Sequence, residues 1–123
     1  MRVIERLEIS GVNAEKWPNV EQYIERKIGR LDRLLPRHAK KSVHARVILS
    51  EGNAKRKLAV CEVIMELPHN TILAKEATAN MFSSVDSVED KLARQIRKYK
   101  TAHFQNSDRR LLRRMLGRVR RSK

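Results

Sequence analysis

The stretch MFSSVDSVEDKLARQIRKY, residues 81–99, carries the strongest helical pattern of the chain. Its apolar side chains recur every three or four residues, at Met81, Val85, Val88, Leu92, Ile96 and Tyr99. At about 100° of rotation per residue they fall within about 80° of arc, which predicts an amphipathic helix with one buried face. We expect the residues before it to form the surface that this face covers.

Three alternating segments precede the helix and predict a sheet. The first, Ser42 to Ser50, has apolar side chains at every second position, and a turn begins at Glu51. The apolar face of the next segment consists of Ala59, Cys61, Val63, Met65 and Leu67. A turn at Pro68–Asn70 then leads to a shorter strand, Thr71 to Ala77. Hairpin connections of this kind make the three strands antiparallel.

Another strand and another helix are predicted nearer the N-terminus. Alternating apolar residues indicate a strand from about Val3 to Ser10. A helix begins at about Pro18, its apolar stripe continues to Leu35, and Pro36 ends it. The predicted order is βαβββα, an α+β two-layer sandwich in which both helices pack on one face of a four-stranded sheet. We expect this domain to span residues 1–101 and residues 102–123 to form a basic tail.

The composition excludes several classes of protein. The 123 residues include 28 Lys and Arg against 14 Asp and Glu, a net charge of +14. Such a surface attracts polyanions, foremost nucleic acid and then anionic membranes. The 41% hydrophobic share is too high for a wholly disordered chain, and no apolar run approaches the roughly 20 residues that cross a bilayer. We therefore expect a small cytoplasmic domain and disfavour association with a membrane.

The residues that usually carry catalysis or bind metals form no convincing arrangement. Cys61 is the one cysteine, which excludes an internal disulfide and a multi-cysteine zinc site, and its position on an apolar strand face predicts a core residue. The histidines are His38, His44, His69 and His103. Their spacing does not match that of metal ligands, and His44 is expected on the solvent side of its strand. We expect no enzymatic activity, no cofactor, no metal and no small-molecule substrate.

Cations concentrate on the predicted outer faces of both helices. On the first helix, Arg26, Arg30 and Arg33 lie within about 60° of one another, away from the apolar stripe. On the second, basic side chains share about 120° of arc opposite Leu92, interrupted by Asp90. These side chains are Lys91, Arg94, Arg97 and Lys98. Two basic ridges on one surface, with an aromatic share of only 4%, favour phosphate contacts to structured RNA over base stacking.

The C-terminal residues are more basic than the rest. Residues 100–123 hold nine Lys and Arg and one acidic residue, and apolar and arginine side chains occupy opposite sides of a helical projection there. Three interpretations stay open: a disordered tail, an arm that becomes ordered on RNA, and a short amphipathic helix at a membrane surface.

The two helices resemble those of a known family, the ribosome hibernation-promoting factors and ribosome-associated inhibitor A. The second helix of that family typically reads D-M-Y-x-A-I-D…K-L-E-R-Q-L-x-K-x-K. Here Asn80–Met81–Phe82 begins the matching segment and DKLARQIRKYK, Asp90 to Lys100, ends it. The first helix, YIERKIGRLDRLL (Tyr23 to Leu35), is similar to the family's Y-x-x-K-K-L-x-K-L-x-K-x pattern. The resemblance covers about residues 3–101 in the family's order and spacing.

The resemblance implies a function that composition alone does not indicate. Members of the family bind the small ribosomal subunit in the channel between head and body, compete there with messenger RNA and transfer RNA, and inhibit idle ribosomes. Basic residues of their two helices contact ribosomal RNA. Carried over by position, these contacts fall on Lys27, Arg30, Lys91, Arg94, Arg97, Lys98 and Lys100. Arg26 and Arg33 are added from the helical ridges alone.

Two questions stay open at this point. A general structured-RNA or double-stranded nucleic-acid binding module would use the same ridges without specificity for ribosomes. Long family members carry a C-terminal dimerisation domain, which we do not expect within these 123 residues, and the arginine-rich tail differs from the acidic end of inhibitor A. Promotion and prevention of ribosome pairing therefore both stay open.

Overall fold

The computed structural model describes residues 6–40, 42–52 and 58–102. The elements along them are β1 (Arg6–Ser10), α1 (Val20–Lys27), a 3-10 helix (Gly29–Leu34), α2 (Arg37–Lys40), β2 (His44–Glu51), β3 (Ala59–Leu67), β4 (Asn70–Thr78) and α3 (Met81–Ala102). The start of the predicted first strand, residues 1–5, and the predicted tail from residue 103 onward lie outside the described residues.

The four strands form one sheet in the order β1-β2-β3-β4. β1 runs parallel to β2, because the chain between them crosses over through the helices that cover the sheet. β2, β3 and β4 are joined by antiparallel pairing, as their short connections require. With the helices on one face of this sheet, the predicted α+β sandwich is confirmed.

The core lies between the sheet and the helices. Side chains at alternate positions of β2 and β3, such as Val47 and Cys61, are buried on the face that the helices cover. From the other side, the stripe of α3 that contains Leu92 is buried against β3 and β4. The opposite face of the sheet has no helix over it in the described part of the chain, and Ile48 and Leu73 are exposed there.

The first helix departs from the sequence-based prediction. Instead of one α-helix ending at Leu35, α1 ends at Lys27 and Gly29–Leu34 continue as a 3-10 helix. There the N–H of Leu31 bonds to the carbonyl of Ile28, three residues back rather than four. The glycine that opens the segment weakens an α-helix interior. Ile28 and Leu31 are three residues apart, a spacing that buries both in an α-helix and in a 3-10 helix. The apolar pattern therefore does not distinguish the two helix types.

Pro36 ends this helical segment, as predicted. Leu35, the residue before it, is extended with ψ of 145°, since the proline ring excludes the helical conformation there. The same proline then opens α2, whose Ala39 N–H bonds to the Pro36 carbonyl at 2.9 Å. The sequence pattern does not predict this short helix, because a proline after an apolar stripe indicates a helix end and here also begins the next helix.

Candidate nucleic-acid interface

α1 and α3 lie side by side on the sheet, and Tyr23 connects them. Its hydroxyl donates a hydrogen bond of 2.5 Å to Oδ1 of Asp86, on α3. Its ring meets Phe82 edge-on, with the ring centroids 5.1 Å apart. The hydrogen bond to Asp86, together with burial, raises the pKa of Tyr23 to about 12. The neutral phenol is thus the form that holds the two helices together.

Two of the predicted RNA-binding residues point into the seam between these helices. The Lys27 ammonium lies 3.6 Å from Asp86 and 3.8 Å from Glu89, both on α3. The Arg30 Nε atom lies 3.5 Å from the other oxygen of Glu89. The Glu89 side chain is only 16% exposed, so these ion pairs are screened less than pairs in open solvent. Lys27 and Arg30 therefore already have carboxylate partners.

The other two predicted cations of α1 and the 3-10 helix, together called the first helical segment, are more accessible. Arg26 is exposed, and its guanidinium carbon lies 5.3 Å from the centre of the Tyr23 ring, within the range of a cation–π contact. Arg33 is exposed on the 3-10 helix. Within residues 6–40, 42–52 and 58–102, neither arginine makes an ion pair.

The outer surface of α3 carries the most accessible cations. Arg94, Arg97 and Lys98 are exposed, and no carboxylate in the described residues pairs with them. At about 100° per residue they span about 100° of arc on the side opposite Leu92. The Arg94 Nε atom makes one long contact, 3.5 Å, with the carbonyl of Asp90 in its own helix. This strip leaves its charges available to an anionic partner.

The two flanks of α3 differ from this outer strip. Toward β4, the Lys91 ammonium pairs with Glu76 at 3.0 Å, and the Gln95 side-chain amide donates to the Leu73 carbonyl at 2.7 Å. Lys100 is half-buried on the opposite flank, which faces α1. Of the nine predicted residues, three have carboxylate partners and six have none within the described residues: Arg26, Arg33, Arg94, Arg97, Lys98 and Lys100.

The acidic residues of this surface were not identified from the sequence. Asp90 was expected to interrupt the basic ridge of α3, yet Asp86 and Glu89 are the carboxylates that contact cations of the first helical segment. The available signal was their three-residue spacing, which places both on the flank of α3 next to the apolar stripe. The Tyr23–Phe82 pair is not predicted either, because the total aromatic content contains no information on which aromatic side chains meet.

The helix-free face of the sheet has mixed charge. Arg46 pairs with Glu66 at 3.2 Å, and His44 lies 3.2 Å from Glu8 and 3.7 Å from Glu66. The prediction that His44 lies on the solvent side of its strand is confirmed. Cations and carboxylates alternate here and several of them pair with each other, so the charge of this face is mixed, whereas the outer strip of α3 is mainly positive.

Cys61 is buried, as predicted, and its burial raises the pKa of the thiol to about 12, so it stays protonated at neutral pH. No group of three or more metal-ligating side chains occurs among residues 6–40, 42–52 and 58–102. None of the helices in the same residues combines the length and the hydropathy of a membrane-spanning segment.

A protein-family model matches most of the chain. The family model described as "Sigma 54 modulation protein / S30EA ribosomal protein" matches residues 7–103. A ribosome hibernation promotion factor of Lactococcus lactis is 40% identical over 96 residues, which are 78% of this chain and 50% of that protein. The protein of the same name from Deinococcus radiodurans is 35% identical over 100 residues, 79% of this chain and 50% of its own length. The chain thus spans about half the length of the curated relatives that it matches.

Solved structures with the same fold include two of similar extent. The N-terminal domain of Thermus thermophilus Protein Y has a TM-score of 0.60 and 24% identity, covering 80% of this chain and 99% of that domain. A ribosomal subunit interface protein from Coxiella burnetii has a TM-score of 0.57 and 25% identity, covering 78% of this chain and 96% of that protein.

Proposed function

We propose a function for this chain from one premise: it belongs to the Sigma 54 modulation protein / S30EA ribosomal protein family. The proposed function is ribosome hibernation. The chain binds RNA of the small ribosomal subunit in the channel that receives messenger RNA and transfer RNA. Occupying this channel inhibits translation by idle ribosomes through occlusion, without a chemical step. The relatives named ribosome hibernation promotion factors support the ribosome as partner.

One observation carries this proposal: three exposed cations on the outer strip of α3, Arg94, Arg97 and Lys98, have no carboxylate partners within the described residues. Arg94 and Arg97 present guanidinium groups, which bind phosphate through two parallel hydrogen bonds, and Lys98 adds a point charge on the same strip. Phosphate contacts of this kind position a protein on structured RNA. The mixed charges on the opposite face of the sheet make that face the weaker candidate.

The contacts are proposed to be of two types. The six cations without a carboxylate partner contact phosphates directly. The other three, Lys27, Arg30 and Lys91, exchange a carboxylate for a phosphate when RNA binds. This exchange makes their net contribution to affinity smaller, because an existing ion pair is lost as a new one forms.

Co-sedimentation with purified small subunits tests the proposal. We expect saturable binding near one molecule per subunit, which weakens as salt rises because phosphate contacts release counterions. Excess transfer RNA should displace the protein from the subunit. Weak, unsaturated binding that transfer RNA does not affect would instead indicate a general polyanion-binding module, and the occlusion function would be wrong.

A matched pair of double variants tests which surface of the protein binds the small subunit. Arg94→Glu with Lys98→Glu reverses two exposed charges on α3 and should abolish co-sedimentation. The control, Arg6→Glu with Lys75→Glu, makes the same change in net charge at exposed positions on the helix-free face of the sheet. It should retain most of the binding. Equal loss in both would show that net charge matters and that the helical surface has no special role.

A further inference from the structure

A cavity of about 340 Å³ opens where α3 begins, beside the basic surface. Its walls include Trp17, from the segment between β1 and α1, and Phe82, from the first turn of α3. Lys16 and Glu51 form an ion pair at the lining, and Asn80 adds a polar side chain. The cavity is therefore partly aromatic and partly polar, and its volume is near the lower end of the usual range for small ligands, about 300–1,000 Å³.

We propose that this cavity binds one unstacked base of the RNA that the helical surface contacts. The inference rests on the proposed function and specifies the kind of RNA site it uses. Single-stranded loops and bulges can present a base outside a helix, whereas paired RNA cannot. The helical surface would hold the phosphates and the cavity would hold a neighbouring base.

The aromatic residues support a base as the occupant. The whole chain has one tryptophan, two tyrosines and two phenylalanines, and Trp17, Tyr23 and Phe82 gather at this end of the helices. Trp17 and Phe82 are half-buried, with the rest of each side chain accessible. Stacking on such side chains is the usual way in which proteins hold an unpaired base. A low overall aromatic content is thus compatible with one stacking site.

The polar side chain at the cavity supports the same occupant. Oδ1 of Asn80 accepts a hydrogen bond of 2.8 Å from the backbone N–H of Phe82. This bond leaves the amide NH₂ of Asn80 without a partner among the described residues. An amide NH₂ donates hydrogen bonds to ring nitrogens and carbonyl oxygens, which are the acceptors on the edge of a base.

Ring contacts link the cavity lining to cations of α1. Phe82 lines the cavity and also meets the Tyr23 ring edge-on. The Arg26 guanidinium carbon and the Lys27 ammonium lie 5.3 and 5.6 Å from the centre of that ring. Arg26 and Lys27 therefore lie one aromatic ring beyond the cavity lining. Arg26, which has no carboxylate partner among the described residues, would contact the backbone of a nucleotide whose base enters the cavity. This charge complementarity favours RNA over an uncharged ligand.

A variant that fills the cavity tests the inference without removing existing packing. Ala79 lines the cavity and is exposed, so Ala79→Leu adds volume there. We expect about tenfold weaker binding to small subunits, the size of one lost base stack. Trp17→Ala should show a similar loss, and Trp17→Phe should restore binding. Leu73→Ala, at an exposed position on the far face of the sheet, is the matched control and should bind like the parent chain.

Fluorescence of Trp17 gives an independent measurement, because no other tryptophan contributes to the signal. A single-stranded RNA oligonucleotide should quench it, and an abasic oligonucleotide of equal length and charge should not. Equal quenching by both, or none by an oligonucleotide that anisotropy shows to be bound, would overturn the inference.

The two proposals fail in different ways. If Ala79→Leu binds subunits like the parent chain while Arg94→Glu with Lys98→Glu does not, the base site is wrong and the proposed function stands. If the parent chain does not bind subunits, the proposed function is wrong, and the fluorescence comparison still decides whether the cavity takes a base.

Discussion

The Tyr23 hydroxyl donates a 2.5 Å hydrogen bond to Asp86, and this bond connects the two helices that carry the basic surface. A hydrogen bond to a carboxylate is shorter and stronger than one between neutral groups. The same tyrosine ring contacts Phe82 on α3 and lies under Arg26. One side chain thus helps to fix the separation of α1 from α3, and with it the distance between their cations.

This bond should make stability depend on alkaline pH. The pKa of Tyr23 is about 12 in the folded chain, against an ordinary value of 10.0. Because the pKa of Tyr23 is higher in the folded chain than in the unfolded chain, its contribution to the free energy of unfolding is complete below about pH 10. This contribution is lost as the pH rises toward about 12. Tyr23→Phe should therefore lose less stability over this range than the parent chain. At neutral pH the free energy of unfolding of this variant should be about 1 kcal/mol lower than that of the parent chain.

Urea unfolding of both chains at about pH 8 and about pH 11 measures this difference. The comparison is needed because burial also raises the pKa of Tyr99, and Tyr99 titrates in both chains. An identical decline in the two would show that Tyr23 is not the group responsible.

Gly11 should be required where the chain leaves β1. Its φ is +78°, and a Cβ atom built there would lie 2.0 Å from the Leu49 carbonyl oxygen on β2. Alanine disfavours the left-handed backbone conformation, and its Cβ atom would clash with the Leu49 carbonyl oxygen. Gly11→Ala should therefore lower the free energy of unfolding by about 2 kcal/mol or more. Gly52→Ala is the control, since its Cβ would first meet Val60 Cγ2 at 3.4 Å. Urea unfolding should show a clearly smaller effect there.

The Cys61 thiol should report global unfolding. It is buried, and burial raises its pKa to about 12, so neither access nor the thiolate form favours reaction. A disulfide exchange reagent at neutral pH should label the native chain very slowly. The labelling rate should rise with urea in proportion to the unfolded fraction. Rapid labelling without urea would contradict both the burial and the predicted core role.

The sheet and α3 could be predicted from the sequence, because the spacing of apolar residues in these elements follows directly from which side chains are buried. Alternation in β2 and β3 and the 3.6-residue spacing of α3 each put apolar side chains on a single face. The strand predicted over Ser42–Ser50 is observed over His44–Glu51, and the last one, Thr71–Ala77, over Asn70–Thr78. The apolar pattern thus predicts which side chains face the core, whereas the predicted strand ends differ from the observed ones by one or two residues.

The pairing of charges could not be predicted in the same way. A helical projection shows which side of its own helix a cation occupies, but it contains no information on the neighbouring helix. Lys27 and Arg30 meet Glu89 only because α1, the 3-10 helix and α3 pack side by side. The change from α to 3-10 geometry after Lys27 also alters where Arg30 points. The site therefore depends on packing that one sequence does not specify.

Glu89 should limit affinity for RNA. Its carboxylate holds Lys27 and Arg30 at 3.8 and 3.5 Å, and a phosphate must displace it to use either cation. Glu89→Gln keeps the shape and removes the charge. We expect affinity for small subunits to rise roughly threefold, the equivalent of losing a competing ion pair worth less than 1 kcal/mol. Co-sedimentation across a salt series measures the change.

The matched control is Glu25→Gln, which removes the same charge from an exposed position of α1. Glu25 lies about 160° around the helix from Lys27, on the side away from α3, so it does not compete for these cations. If both variants raise affinity equally, only net charge matters. If Glu89→Gln lowers affinity while the chain stays folded, the carboxylate orients Lys27 and Arg30 for phosphate rather than competing with it, and the two-type contact scheme is wrong.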